Sequence, residues 1–148
     1  MRLTLWTDYV LRTLIYLGSR GERFSTIAQI AESFEISRSH LMKIVNRLAR
    51  QGYIESVRGK GGGIRLAREP GQIGIGALVR EHEEELAVMG CLAQSGFCRI
   101  ESCCILRRAL GEATHAFLAT LDGYTLADLL QPRAALARSL GFSDLARP

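Results

Sequence analysis

Hydrophobic positions in the first seventy residues follow two periods in turn. From Thr7 to Leu17, Val10, Leu11, Leu14 and Ile15 recur three and four apart, the spacing of one helix face. Thr7 offers a capping hydroxyl, Asp8 sits in the first turn where the helix dipole favours an acid, and Gly18 and Gly21 mark the end. Ser25 or Thr26 can cap a second helix carrying Ile27, Ile30, Ala31 and Phe34 on one side. Ser37 caps a third, with Leu41, Ile44, Val45 and Leu48 as its stripe. Only Phe34-Glu35-Ile36 lies between them. Two short helices, a tight turn and a basic second helix predict a helix-turn-helix unit. The period then drops to two over Gly52–Val57 and again over Ile64–Ala67, around the tip Arg58-Gly59-Lys60-Gly61-Gly62-Gly63. Two strands joined by a basic, glycine-rich tip have the layout of a wing.

Pro70 and Gly71 break this pattern. Ile75, Leu78 and Val79 predict a fourth helix that continues into Glu81–Glu85, and residues 90–103 read as a loop. From about Cys104, Leu106, Leu110, Ala113, Phe117, Leu118 and Leu121 recur at helical spacing. That is a long helix with an apolar seam suited to a partner helix. A shorter run, Leu126, Leu129 and Leu130, precedes Pro132. The expected fold is mainly α with a small β-hairpin: a winged helix-turn-helix plus a long dimerisation helix. The chain divides into a winged head over 1–70, a connecting helix over 71–90, a cysteine loop over 91–104, and a dimerisation helix and tail over 104–148.

Charge sharpens this division. Residues 1–70 hold 12 Lys+Arg against 6 Asp+Glu, and residues 71–148 hold 7 against 9. A basic half points to nucleic acid. No apolar run reaches the roughly 18 residues a membrane helix needs. The N-terminal stretch reads as an amphipathic helix rather than a signal peptide, so a cytoplasmic protein is expected. A recognition helix projects polar and basic side chains from its first turns into the major groove. Here they are Arg38, Ser39, His40 and Lys43, with Arg47 further along. The wing adds Arg58, Lys60 and Arg65. Each basic residue taken singly is an ordinary surface charge. His40 is open between a DNA contact and a capping-turn residue. The ordered combination points to double-stranded promoter DNA.

All four cysteines fall between positions 91 and 104. Thiolates ligate zinc and iron–sulfur clusters. Six residues separate Cys91 from Cys98 and five separate Cys98 from Cys104, with no Cys-x-x-Cys knuckle. That wide spacing suits a bulky cluster better than a single ion. Arg99, Arg107 and Arg108 lie close enough in sequence to favour thiolates. Cys103 and Cys104 are adjacent, and either is open as the third ligand. A zinc- or thiol-redox-sensing regulator is the first alternative. A cysteine redox enzyme is the second, weakened because His82 and His115 read as structural or solvated rather than catalytic; no enzyme is expected.

With these motifs in place, the chain resembles the bacterial winged-helix iron–sulfur regulators of the IscR/NsrR family. The resemblance is carried by Ser56-Val57-Arg58-Gly59-Lys60-Gly61-Gly62-Gly63-Ile64-Arg65-Leu66 and the cysteine loop. It is closest to the nitric-oxide-sensing repressors, through Thr7-Asp8-Tyr9, Ser37–Ile44 and Tyr124–Leu129. It implies metal ligands Cys91, Cys98 and Cys104, with Asp8 as a fourth ligand from the other protomer of a homodimer. Other members use a histidine three residues past the last cysteine, where this chain has Arg107. A four-iron, four-sulfur (4Fe-4S) cluster with one carboxylate ligand is therefore implied, with nitric oxide as the signal that lifts repression.

Overall fold

In the computed structural model, residues 2–96 and 98–142 are described, so the end of the predicted tail lies outside them. Helix α1 (Leu5–Arg20) starts one turn before the predicted cap. Its N-cap is Thr4, whose hydroxyl accepts from the Thr7 amide at 3.3 Å, and Thr7 is fully buried inside the helix. The reason is tertiary. Glu83 accepts hydrogen bonds from the Thr4 amide at 2.7 Å and from its hydroxyl at 3.0 Å, which fixes where the chain turns into the helix.

Thr26, not Ser25, caps α2 (Ile27–Phe34) in a reciprocal box with Gln29. The Ser25 backbone is committed elsewhere: it exchanges both bonds with Ile64, at 2.9 and 2.8 Å. Helix α2 ends on Glu35 in the left-handed region (φ 54°), and Ser37 caps α3 (Arg38–Arg50) by accepting from the His40 amide at 3.3 Å. Strands β1 (Ile54–Val57) and β2 (Gly63–Leu66) pair antiparallel, with Ile54 opposite Leu66 and Val57 opposite Gly63. The Ser25–Ile64 bridge fastens this hairpin to the α1–α2 connection, so the wing and the helix-turn-helix share one orientation.

A 3-10 turn (Pro70–Gln72) leads to α4 (Ile75–His82), then α5 (Gly90–Ala93), a second 3-10 turn (Glu101–Cys103) and α6 (Ile105–Asp122), followed by α7 (Leu126–Leu129) and α8 (Arg133–Ser139). Helix α4 stops at His82 rather than running to Glu85, because Glu83 leaves the helix to meet Thr4. Leu14, Leu17, Ile30, Leu41, Ile44 and Leu48 form the centre of the core, and Leu78, Leu126, Ala137 and Phe142 complete it. Fully burying one such leucine contributes about 1.5–3 kcal/mol. The last described residues thus pack on the head, with the Phe142 ring edge-on to Tyr16 at 5.0 Å.

Helix α6 behaves differently. None of its residues is buried, and Ile105 and Leu106 are 72% and 57% exposed. No described helix is long and apolar enough to cross a membrane.

The joint between α4 and α6 is close. Arg80 grips Asp122 with two hydrogen bonds of 2.6 Å. A Cβ at Gly76 would lie 2.0 Å from Asp122 Oδ1 and 2.9 Å from the Asp122 backbone nitrogen. Gly76→Ala should therefore destabilise the fold by about 1–3 kcal/mol in a urea titration. An unchanged midpoint would show that α6 yields at this joint.

Candidate functional site

The outer face of α3 is an open, cationic surface of the head. Arg38, Ser39, His40 and Lys43 are exposed, whereas Leu41, Ile44, Val45 and Leu48 are buried. His40 rests beside the Tyr9 ring, with centroids 6.4 Å apart. Arg58 and Lys60 stand exposed at the wing tip. The tip turns tightly: Gly62 donates to the Gly59 carbonyl at 3.0 Å, and a Cβ at Gly62 would lie 2.1 Å from the Val57 carbonyl oxygen, so only glycine fits.

The other two arginines singled out from sequence are already bonded. Arg65 pairs with Glu55 and Glu22 and lies over the Phe24 ring at 4.9 Å, at the base of the wing. Arg47 donates to the Glu81 carbonyl at 3.2 Å and sits 5.7 Å from the Trp6 ring centroid.

The cysteines lie on the arm between α4 and α6. Cys91 is on α5, Cys98 is in an exposed turn, Cys103 closes the second 3-10 turn and Cys104 caps α6. Two residues staple the arm to the first turn of α6. Arg107 donates to the Cys91 carbonyl at 2.9 Å and pairs with Glu101 at 3.3 Å, and Glu101 accepts from the Gly96 amide at 2.7 Å. The two neighbouring thiols differ. Cys104 Sγ accepts from the Arg107 amide at 3.4 Å, at the N-terminus of α6. Cys103 donates its thiol proton to the Ile100 carbonyl at 3.5 Å. Both border an open cavity of about 440 Å³ that Arg107 and Arg108 also line.

Asp8 is on the exposed side of α1, paired with Arg12 at 2.9 Å. Among the described residues no group of three or more His, Cys, Asp or Glu is assembled around one point. The donors still fit an iron–sulfur cluster by their chemistry: soft sulfur ligands on a short arm, one of them at a helix N-terminus, beside cationic side chains.

Residues 3–132 match the family described as Rrf2, iron-dependent transcriptional regulator. The chain belongs to the Rrf2 family. Two curated relatives carry the name HTH-type transcriptional regulator NsrR. That from Geobacillus kaustophilus (strain HTA426) is 54% identical over 142 residues, covering 95% of this chain and 96% of the relative. That from Bacillus subtilis (strain 168) is 45% identical over 146 residues, covering 97% and 100%. Among solved structures, T. potens IscR superposes with a TM-score of 0.69 at 26% identity, covering 88% of this chain and 87% of that one. The mainly helical winged architecture is thus that of the Rrf2 regulators.

The junction between arm and head in this Rrf2 chain lies in an acidic stretch that reads from sequence as the continuation of α4, with His82 structural or solvated. Glu81 collects three bonds from the end of α3 and the residues after it: its carbonyl from Arg47, its carboxylate from Gln51 at 2.9 Å and from the Tyr53 hydroxyl at 2.7 Å. His82 Nδ1 accepts from the Trp6 indole at 3.3 Å. Glu83 holds Thr4. Three successive residues therefore tie the root of the cysteine arm to both α1 and α3. The only sequence signal was a histidine and two acids at the end of an apolar helix, which says nothing about partners 28 to 79 positions away. His115, by contrast, is exposed on α6.

His82 is 4% exposed, and among the described residues its Nε2 has no partner. Burial first, then the nearby Arg47 charge, push its pKa below the ordinary 6.5, while Glu81 and Glu83 pull the other way. The folded state thus binds the proton more weakly than the unfolded chain. Stability contributed by neutral His82 is present at neutral pH and is lost as pH falls below about 6.5, down to the lowered folded value. Urea titrations at about pH 7.5 and 5.5 should show an acid-side loss that is smaller in His82→Gln; equal losses in both proteins would remove His82 from this role.

Proposed function

We propose that this Rrf2-family chain is a cytoplasmic, homodimeric transcriptional repressor that reads promoter DNA and releases it in response to nitric oxide. The observation that carries this reading is the connection of two surfaces. The cationic face of α3 and the wing is joined through Glu81, His82 and Glu83 to the arm that bears the thiols. NsrR is the name of the relatives at 54% and 45% identity, which supports the same signal.

Arg38, Ser39, His40 and Lys43 meet the major groove, and Arg58 and Lys60 meet the neighbouring backbone or minor groove. Arg47 and Arg65 back these elements while their present bonds hold. The unburied α6, with its exposed Ile105 and Leu106, packs against a second copy.

Cys91, Cys98 and Cys104 would hold an iron–sulfur cluster of the 4Fe-4S type, with Asp8 of the partner subunit as the fourth ligand. When bound, the cluster supplies the centre that reacts with nitric oxide. The carboxylate is the hard donor in a soft set and therefore the exchangeable one. Arg12 gives it somewhere to go. An exposed i,i+4 pair of this kind contributes well under about 1 kcal/mol, so Asp8 moves between Arg12 and another partner at little cost. An Asp8 that bridges protomers ties one head to the other arm, and its release alters the spacing of the two heads on their half-sites.

Protein purified anaerobically should be brown and contain iron and sulfide; a colourless protein with stoichiometric zinc would contradict the cluster and favour a zinc sensor. Asp8→Ala should hasten bleaching of the visible absorbance or change its response to nitric oxide, with the thermal unfolding of the head unaltered. If neither optical property moves, Asp8 is not a ligand.

A further inference from the structure

Helix α3 carries one side chain that its outer face does not explain. Arg38, Ser39, Lys43 and Asn46 share that face and are all exposed, as a solvent- or DNA-facing surface requires. Met42 lies among them, one turn from Arg38 and from Asn46, and is 53% exposed. Its neighbours Leu41, Ile44 and Val45 turn inward to the core, but Met42 does not. A single exposed apolar side chain is ordinary on a protein surface, but Met42 stands inside the group of polar and basic residues that the DNA-binding reading sets in the groove.

Charge says which interface. Among the described residues no ion pair holds Arg38 or Lys43, so the ring around Met42 is cationic and unsatisfied. Its complement is polyanionic. Within a DNA major groove, the base edges offer hydrogen-bonding groups and one apolar feature, the thymine C5-methyl. Methionine is unbranched and adaptable, and it reaches such a group without demanding one backbone geometry.

We infer that Met42 is a specificity-determining residue that reads a thymine methyl in each half-site, between the polar and basic contacts of Arg38, Ser39 and Lys43. This rests on the DNA-binding reading above. It also makes one helix position independent of hydrogen bonding: Met42 selects thymine through shape and desolvation, while the arginine and lysine supply affinity and register.

The test removes the methyl and nothing else. A duplex is first selected from a random-sequence pool with the full-length protein purified anaerobically, and each thymine in it is then replaced in turn by deoxyuridine. Failure to select any sequence would defeat the DNA-binding reading itself. Given a selected duplex, one thymine per half-site should show a loss of about fourfold on replacement, as expected for one methyl withdrawn from an apolar contact. Met42→Ala, an exposed position whose truncation leaves the core intact, should bind the thymine duplex more weakly and no longer distinguish it from the uracil one. Met42→Leu should retain part of the discrimination. The inference is overturned if the wild-type protein ignores every thymine-to-uracil change, or if Met42→Ala still loses fourfold at the same position.

Discussion

The root of the cysteine arm is held by three consecutive residues that face three ways. Glu81 turns to the end of α3, His82 to Trp6 on α1, and Glu83 to Thr4 at the start of α1. Because Glu83 also sets where α1 begins, the position of Asp8 depends on the same contact. The arm is therefore not an appendage to the head. It cannot shift at its root without breaking part-buried and exposed hydrogen bonds or carrying α1 and α3 with it. Each such bond contributes on the order of 1 kcal/mol, more where a carboxylate accepts, which makes the junction firm but reversible.

That constraint gives the charged side chains their separate roles. Arg47 and Arg65 spend their guanidinium groups on Glu81, Glu55 and Glu22, bracing the recognition helix and the wing. Arg38, Lys43, Arg58 and Lys60 are left pointing outward. On the arm, Arg107 does the same bracing work between Cys91, Glu101 and the first turn of α6. In this Rrf2-family chain, hydrogen bonds run from the root of the thiol-bearing arm to the end of α3, while Ile105 and Leu106 at the start of α6 stay exposed.

Much of this was legible locally. Ser37 and Thr26 announce helix starts because a cap is satisfied within three residues, and the alternation around Arg58–Gly63 announces a hairpin because strand pairing there is short-range. The clustering of four cysteines needed no structure at all. What sequence missed was every feature fixed by distant partners. Thr4 caps α1 because of Glu83, 79 positions away. Arg47 and Arg38 look alike on one helix until Glu81 claims the first. The acidic run after Val79 reads as a continuation of α4, yet the helix stops at His82, and His82 and Glu83 are buried against α1 and its N-cap. Cys103 and Cys104 are equivalent in sequence and are separated only by which one stands at the helix terminus.

In the proposed function, the state of the thiol-bearing arm controls the grip of the head on DNA. It is tested most directly by titrating nitric oxide into anaerobic protein bound to a fluorescent promoter duplex, recording anisotropy and visible absorbance on one sample. Anisotropy should fall in step with loss of the cluster absorbance. Full retention of DNA after the absorbance has gone would contradict it.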